Sequence, residues 1–325
     1  MDFQLDDDQL ALQRHVAAFC AARWPLERVA ERPTGVLDRA AWRELVELGA
    51  VSVLVDEGRG GLGLGTVAAA VLFEQLGRHL VPGPLLWSAL AALAIPEVAD
   101  GTRIAGGTEG RGAALHFVEH GAEVDLVVVL RADGVARIDA AQLPPCVAAD
   151  ALDPLTPVGV FEALPEGVRV GNATAAAALR RVGTVLAAAL QLGIAGAALD
   201  VAVAYAQERE QFGVPIGSFQ ALKHMMADMY VRTGLARCAT YAAAAVLDDP
   251  GAGDTERSLG AAKLLAGEAA VENARAAIQV LGGMGFTWEM LPNHLLKRAW
   301  VLDQSFGTAD DHALQLGSAL VAATR

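Results

Sequence analysis

The sequence predicts a mainly α-helical protein in which a small β-rich segment separates two helical zones. Three observations predict this fold class. Alanine is abundant, and Phe, Trp and Tyr make up only 5% of the chain, a composition that favours closely packed helices over a β-sandwich. Apolar residues recur at helical spacing up to about residue 100 and again beyond residue 172. Between these zones, short valine-rich runs alternate with turn residues, as strands and their connections do.

Composition also limits the function. The 325 residues include 25 basic and 38 acidic side chains, so the formal net charge is −13. This balance argues against a general nucleic-acid binder, and the chain has no basic block for a membrane surface. The amino end is acidic and lacks the pattern of a secretion signal. Cys20, Cys146 and Cys238 are too far apart for a metal-binding pair and too few for a disulfide framework. We therefore expect a cytoplasmic protein.

The amino-terminal zone contains three predicted helices, over residues 6–23, 38–48 and about 66–80. Asp38 has the side chain of an N-cap, and Gly49 follows the second helix where a left-handed residue often ends one. The Pro-Gly-Pro at 82–84 breaks the third helix. The glycine-rich stretch 57–65 lacks the Lys-Ser/Thr pair of a phosphate-binding loop, so we interpret it as a turn.

The middle zone contains four runs that predict strands, at residues 122–130, 134–138, 158–161 and 167–170. His116 and His120 match a zinc-binding sequence motif, His-x-x-Glu-His. This motif binds zinc only on a helix, where both imidazoles share one face. Here the pair lies in strand-like sequence and no third ligand is evident. We therefore expect no metal site.

The carboxy-terminal zone is predicted to be helical over about 172–210, 218–247, 254–282, 288–300 and 308–323. Asn172 and Asp254 stand where N-caps are expected, and Ser218 is expected to start the second of these helices. The apolar run 184–206 is long enough to span a membrane. Because it is rich in Ala and Gly rather than Leu, Ile and Phe, we interpret it as a helix buried in a bundle.

One stretch combines groups that bind phosphate and aromatic ligands. Arg209 and Phe212 stand at a helix–turn junction, where a guanidinium can pair with a phosphate and a ring can pack on an adenine. Gln220 and His224 are four residues apart on the next predicted helix and share one face. The residues alone leave a structural alternative open. An arginine at a helix end also interacts favourably with the helix dipole, and a phenylalanine beside a turn is usually core.

A second stretch runs from Gln279 to Phe286 and ends a predicted helix with the double glycine Gly282-Gly283. Such a pair permits a left-handed cap and lets another backbone or a ligand come close. Taken alone, this signal is weak.

Together the two stretches resemble the acyl-CoA dehydrogenase family. Its Arg-x-Gln-Phe-Gly-x-Pro-Ile-x-x-Phe-Gln string matches residues 209–220 at every fixed position, and its Gln-x-x-Gly-Gly-x-Gly-Phe string matches 279–286. The amino-terminal zone shares further features with the family, namely Trp42 with Leu48-Gly49, Gly60 to Gly63, and Glu74 to Arg78. The resemblance thus covers both helical zones.

This resemblance implies a fold and a cofactor. The family has a helical amino-terminal domain, a small β-domain, reduced here, and a carboxy-terminal four-helix bundle, which correspond to residues 1–100, 101–171 and 172–325. Its members are usually tetramers in which a carboxylate takes the α-proton of an acyl-CoA and FAD takes the β-hydride. By resemblance, the residues that hold the half of FAD remote from its flavin ring are Arg209, Gln211, Phe212, Gln220, His224, Gln279, Gly282 and Gly283, with Thr308 and Asp310 as further cofactor contacts.

The chain departs from the family at the reacting centre. The usual Tyr-Glu-Gly-Thr loop aligns with residues 305–308, which puts Phe306 at the position of the catalytic glutamate. Other members carry that glutamate on an earlier helix, where this chain has Gly183. Neither residue can accept a proton, so no catalytic residue is assigned. The flavin-ring motif of the β-domain is also missing, because residues 106–112 do not match it and no tryptophan lies between Trp87 and Trp288.

The chain therefore resembles the shortened subunit of a heteromeric acyl-CoA dehydrogenase of lipid metabolism, of the kind found in actinobacterial steroid side-chain degradation. Such a subunit pairs with a full-length partner that carries the base, in an α2β2 heterotetramer whose electron acceptor is an electron-transfer flavoprotein or a similar protein. Two alternatives stay open. One is a self-sufficient homo-oligomer that uses Asp303, Asp310 or Asp311 as a displaced base, although carboxylates at a helix start are commonly caps. The other is a non-enzymatic scaffold that has lost FAD.

Overall fold

The computed structural model describes residues 5–32, 34–110, 115–149 and 151–323. It is mainly helical, with a small strand region in the middle of the chain. Contacts between Cα atoms divide the chain into two compact units. The first comprises Met1–Arg32, Ala70–Val81 and Thr184–Arg325, and the second comprises Pro33–Ala69 and Pro82–Gly183. The three-domain boundaries at residues 100 and 171 stay a prediction.

The α-helices are α1 (Asp7–Arg23), α2 (Arg39–Glu47), α3 (Gly65–Arg78), α4 (Leu85–Ala92), α5 (Pro96–Ala99), α6 (Ala173–Glu208), α7 (Gln220–Asp248), α8 (Thr255–Leu281), α9 (Leu291–Asp303) and α10 (Ala309–Ala323). The strands are β1 (Ala105–Glu109), β2 (His116–Glu119), β3 (Leu126–Leu130), β4 (Gly134–Asp139), β5 (Val147–Ala149), β6 (Val158–Phe161), β7 (Val168–Asn172), β8 (Glu210–Gln211) and β9 (Val214–Pro215).

Three of the expected helix starts are confirmed. The Asp38 carboxylate accepts two first-turn amides of α2, the Asn172 side chain accepts the amide of Ala175, and Asp254 accepts the amide of Arg257. These side chains satisfy amides that have no partner within the helix.

The expectation for Ser218 is wrong. Its hydroxyl donates to the carbonyl oxygen of Pro215 at 2.7 Å, because Ser218 still belongs to a tight 3₁₀ turn over Ile216–Ser218. Helix α7 begins two residues later, at Gln220, with Phe219 as its N-cap residue.

The second unit contains two small sheets. One has the strand order β1-β3-β4-β7, in which β1 runs parallel to β3 and the other pairs are antiparallel. The other has the order β2-β6-β5 and is antiparallel throughout. All five residues of β3 are buried, so this strand forms the core of its sheet.

The four predicted strands are confirmed as β3, β4, β6 and β7, whereas β1, β2 and β5 were not predicted. β1 was missed because its sequence, Ala-Gly-Gly-Thr-Glu, has little β propensity. Its second glycine lies against Trp87, and a Cβ added to Gly107 would overlap the indole ring. Close packing against an aromatic ring therefore explains a glycine at this place in a strand.

In the first unit, α7 and α8 pack along each other, and α8 also contacts α9 and α10. Helix α6 is long and apolar enough to span a membrane. However, 89% of its most apolar 18-residue segment is buried inside the protein. Burial of this kind is what the interpretation as a core helix predicts.

The string Glu74 to Arg78 holds α3 against α6 and α7. A Cβ added to Gly77 of α3 would overlap the carbonyl group of Leu190 on α6, so α3 and α6 cross with their backbones in contact. The buried Glu74 carboxylate accepts a hydrogen bond from the Tyr241 hydroxyl at 2.5 Å. Burial raises the pKa of Tyr241, and the negative charge of Glu74 raises it further. This string, one of those that carry the resemblance, therefore has a structural role.

Candidate functional site

The first group of candidate residues lies on a β-hairpin between α6 and α7. Arg209 follows the last residue of α6, and its carbonyl oxygen accepts the amide of Ile216 at 2.8 Å. Strands β8 and β9 pair antiparallel, and the two residues between them, Phe212 and Gly213, have φ angles of 55° and 80°. Two consecutive positive φ angles are typical of a type I′ turn.

The conformation and exposure of Phe212 indicate a binding role. A left-handed conformation costs a bulky residue about 1–2 kcal/mol. Phe212 is nevertheless 93% exposed, and its ring lies edge-on to the ring of Phe219, with centroids 6.2 Å apart. Packing within this chain does not explain a phenylalanine at the tip of the turn, so the ring is available to a ligand or a partner.

Helix α7 begins at the same junction without a side-chain cap. Its N-cap residue is Phe219, whose side chain has no oxygen to accept the first-turn amides. The start of this 29-residue helix therefore presents N–H groups and partial positive charge at Gln220. The hairpin supplies the exposed guanidinium of Arg209 at this junction. Together they favour an anionic ligand.

The second group lies where α8 ends. Gly282 has φ 66° and ψ −147°, a conformation that is essentially restricted to glycine. Gly283 has an ordinary φ, and a Cβ added to either glycine would meet no atom within 4 Å in the described part of the chain. Packing therefore does not require the second glycine, which leaves an open stretch of backbone for close approach of a ligand.

Both groups lie at the same end of the helical bundle, and the buried Asn273 of α8 fixes their register. Its amide donates to the carbonyl oxygens of Ala195 on α6 at 3.2 Å and of Met229 on α7 at 3.1 Å, and to the Thr233 hydroxyl at 2.9 Å. Because α7 is antiparallel to α8, a rise of 1.5 Å per residue places Gln220 at about the level of residue 284 and His224 at about residue 280.

Helix α6 runs parallel to α8, and the same rise places Arg209 at about the level of residue 287. The structure thus places eight of the predicted site residues at one end of the bundle, and all of them are exposed: Arg209, Gln211, Phe212, Gln220, His224, Gln279, Gly282 and Gly283. Sequence reasoning missed two neighbours, Met284 and Phe286, whose side chains are 57% and 70% exposed. Phe286 is the last fixed position of the second motif string, whereas Met284 falls on a variable position and has no signal in the sequence.

Thr308 and Asp310 lie elsewhere in this unit. The Lys263 ammonium donates to the carbonyl oxygen of Asp303 at the end of α9, and Lys263 lies about 28 Å along α8 from Gly282. Thr308 is the N-cap of α10, and its hydroxyl accepts the amide of Asp311 at 3.1 Å. Any cofactor contact by Thr308 or Asp310 therefore stays a prediction about a second place, separate from the bundle end.

The two positions where the family carries its catalytic glutamate are both buried. Gly183 lies within α6. Phe306 is 4% exposed, has a φ of 59°, and precedes Gly307, which has a φ of 92°. The His312 ring is oriented to donate from Nε2 to the carbonyl oxygen of Phe306 at 2.9 Å. Neither position supplies a proton acceptor.

Two of the three carboxylates near this loop cap the start of α10. The Asp303 carboxylate accepts the amide of Ala309 at 3.1 Å, and the Asp311 carboxylate accepts the amide of Thr308 at 3.0 Å. The third, Asp310, is exposed in the first turn of α10. These hydrogen bonds commit the carboxylates of Asp303 and Asp311 to backbone amides.

One charged residue was not predicted. The Lys263 side chain is fully buried, and its Nζ lies 3.7 Å from Oδ1 of Asp303. Burial lowers the pKa of Lys263 to about 8, although the Asp303 charge acts in the opposite direction. Lys263 stands in a predicted helix whose sequence pattern does not distinguish a buried lysine from an exposed one.

Metal ligation has no geometric support in the described residues, among which no three His, Cys, Asp or Glu side chains converge. His116 lies on β2, whereas His120 follows the strand with a φ of 52° and pairs with Glu123 at 3.1 Å. The two imidazoles therefore stand in different local structures.

Comparison with known proteins gives matches over most of the chain. The family model "Acyl-CoA dehydrogenase, N-terminal domain" matches residues 6–103, and "Acyl-CoA dehydrogenase, C-terminal domain" matches residues 172–321. Acyl-CoA dehydrogenase IpdE2 of Mycobacterium tuberculosis is 36% identical over 270 residues, which cover 81% of this chain and 80% of that protein. Acyl-CoA dehydrogenase FadE34 of the same organism is 35% identical, over 80% of this chain but 39% of the longer relative.

Solved structures show the same fold. A chain of the ChsE4-ChsE5 complex from Mycobacterium tuberculosis is 25% identical and aligns with a TM-score of 0.84 over 99% of both chains. Butyryl-CoA dehydrogenase from Megasphaera elsdenii is 21% identical and aligns with a TM-score of 0.81, over 99% of this chain and all of that one.

Proposed function

Because the chain belongs to the acyl-CoA dehydrogenase family, we propose that it is an FAD-dependent acyl-CoA dehydrogenase subunit that lacks the catalytic base. In this proposal it completes the FAD site of a full-length partner, which carries out the α,β-dehydrogenation of an acyl-CoA thioester.

One observation carries the proposal. Eight exposed residues of both cofactor strings meet at one end of the bundle, whereas the base positions hold Phe306 and Gly183. Within this chain, neither the left-handed Phe212 nor the open glycines are explained by packing. They are explained if the bundle end receives a cofactor that is held mainly by another subunit.

The residues at the bundle end fit the adenosine and pyrophosphate half of FAD. The Arg209 guanidinium would pair with the pyrophosphate, aided by the first-turn amides of α7. The Phe212 ring would pack on the adenosine, and the side chains of Gln211, Gln220, His224 and Gln279 would donate or accept hydrogen bonds around it. Gly282 and Gly283 would let the cofactor approach the backbone. When bound, FAD supplies the hydride acceptor of the reaction.

A heteromeric assembly is supported by the solved relative whose two components, ChsE4 and ChsE5, are named as a complex. By the same likeness we propose an α2β2 heterotetramer in the cytoplasm, acting on an acyl-CoA in steroid degradation. Its electrons would pass to an electron-transfer flavoprotein or a similar acceptor. The acidic chain of net charge −13 gives no reason to add a nucleic-acid or membrane partner.

A self-sufficient enzyme with a displaced base is less well supported. Asp303 and Asp311 are committed to amides of the α10 start, and Asp303 also lies 3.7 Å from the ammonium of Lys263. A general base must be free to accept a proton from the substrate, and Asp310 alone retains that freedom.

The proposal is tested by purifying the chain alone and together with a full-length acyl-CoA dehydrogenase encoded beside it. We expect the single chain to be colourless and inactive with acyl-CoA substrates and a dye acceptor. The complex should be yellow and active, and the full-length protein alone serves as the control. Rapid acyl-CoA oxidation by the single chain would contradict the heteromer. A complex that assembles but stays colourless would indicate a scaffold.

A further inference from the structure

We propose that Lys263 is a positioning residue whose ammonium, acting through Asp303, holds the α9–α10 loop closed with the Phe306 side chain buried. The loop comprises residues 304–308.

A continuous chain of contacts joins the two ends of the loop. Lys263 Nζ donates to the carbonyl oxygen of Asp303 at 3.1 Å and lies 3.7 Å from Oδ1 of the same residue. That Oδ1 accepts the amide of Ala309 at 3.1 Å. Asp303 is the last residue of α9 and Ala309 is the first of α10, so one lysine is linked to both ends of the loop.

The backbone of the loop is strained at Phe306. Phe306 and Gly307 both have left-handed φ angles, and the first of them is a large buried side chain. Such a conformation persists only where the surroundings over-determine it. His312 helps to hold this backbone conformation, because its ring is hydrogen-bonded to the carbonyl oxygen of Phe306. The same ring also packs against Gly307, where an added Cβ would lie 3.0 Å from it. The Lys263–Asp303 link helps to hold the same conformation from the two ends of the loop, at Asp303 and Ala309.

Lys263 is a costly residue for a fully buried position. A fully buried ammonium is costly unless it is paired and hydrogen-bonded, and an apolar side chain of similar length would fill the same space at less cost. A lysine here is explained by its link to the loop rather than by packing.

If the proposed function holds, the closed loop keeps Phe306 where other family members place their carboxylate, which confines the chemistry to the partner's site. The inference about Lys263 does not depend on that function, because loop closure can be measured on the chain without FAD or partner.

The test is hydrogen–deuterium exchange of the segment 303–312 in the full chain, compared among the wild type, Lys263→Met, Asp303→Ala and Asp303→Asn. We expect Lys263→Met and Asp303→Ala to exchange about three- to tenfold faster in this segment, the range for the loss of one hydrogen bond. Asp303→Asn keeps an oxygen for Ala309 and the carbonyl that Lys263 bonds, so its exchange should stay close to that of the wild type.

The distribution of faster exchange along the chain separates positioning from a general structural role. Lys263→Met leaves the Asp303 carboxylate without its ammonium, so the thermal midpoint should fall, but exchange should rise only in segment 303–312 and stay unchanged along the rest of α8. Unaltered exchange of segment 303–312 in Lys263→Met would overturn the proposal, as would faster exchange spread evenly over the bundle. If Lys263→Met does not fold, equal exchange in Asp303→Ala and Asp303→Asn would overturn it instead.

Discussion

At the scale of single residues, Arg209 allows the proposed cofactor contact to be measured. In the complex, Arg209→Ala should lose a charge-assisted pair with the pyrophosphate, at a cost of about 1.5–3 kcal/mol. The dissociation constant for FAD should therefore rise by about 10- to 150-fold. The measurement is a fluorescence titration of FAD into the cofactor-free complex.

A matched control is available on α8. Arg257 is also exposed, but it lies in the first turn of that helix, at the opposite end of the bundle from Gly282. Arg257→Ala should leave FAD affinity unchanged. Equal FAD affinity in the Arg209 variant and the wild type would remove Arg209 from the site.

Lys263 makes a prediction about pH. Burial lowers its pKa in the folded chain to about 8, whereas the ordinary pKa of an exposed lysine is 10.5. Between these values the unfolded chain keeps a proton that the folded chain has released. The contribution of Lys263 to the free energy of unfolding therefore rises with pH across this window, by at most about 1.4 kcal/mol per pH unit, and is flat below it.

Urea unfolding of the wild type and Lys263→Met, from neutral pH to about pH 10, measures this contribution as a difference. Other titrating groups are shared by the two proteins and cancel. The stability of the wild type relative to the variant should increase above about pH 8. Parallel pH curves would show that the buried lysine keeps its proton throughout.

At the scale of single elements, the strained backbone at the tip of the β8–β9 hairpin is explained if the Phe212 side chain binds FAD. Phe212→Asn places the residue that type I′ turns prefer at a position with a φ of 55°. The free chain should become more stable by about 1 kcal/mol, measured by urea unfolding. FAD retention in the complex should fall, because the exposed ring is lost. A variant that retains FAD as well as the wild type would show that the ring is not a cofactor contact.

The crossing of α3 and α6 depends on glycine at backbone contact. A Cβ added to Gly193 would overlap the carbonyl group of Glu74, so Gly193→Ala should destabilise the chain by about 3 kcal/mol, the upper part of the range for overpacking. Gly234→Ala in α7 is the matched control, because an added Cβ there meets no atom within 4 Å in the described residues. It should instead stabilise the chain by up to about 1 kcal/mol, through helix propensity. Chemical unfolding of both variants makes the comparison, and equal stabilities would show that the crossing can relax.

At the scale of the whole molecule, the sequence predicts the fold where local and tertiary signals agree. Caps such as Asp38 and Asn172 and the valine-rich strand β3 have strong local signals, and each was predicted. β1 was missed because its glycines reflect packing against Trp87 rather than strand propensity. The start of α7 was misplaced because Ser218 uses its hydroxyl within the preceding turn.

The candidate site was predictable in composition but not in geometry. The two motif strings identify Arg209, Phe212 and Gln279, while only the helix register from Asn273 shows that they share one end of the bundle. The buried Lys263 was not predictable, because its burial depends on how α8, α9 and α10 pack. Thr308 is expected as a cofactor contact from a different family string, the loop aligned with 305–308; in the structure its hydroxyl caps α10, far along α8 from Gly282.

The hairpin tip has a consequence for the living cell. Phe212 is 93% exposed, and Phe286, at the same end of the bundle, is 70% exposed. Exposed aromatic side chains of this kind make a chain without its proposed partner subunit a target for chaperones and proteases. If the proposed partner subunit covers this end of the bundle, synthesis together with that subunit would bury both rings as soon as they form. The cellular abundance of this chain should then follow the expression of the partner's gene more closely than the expression of its own gene.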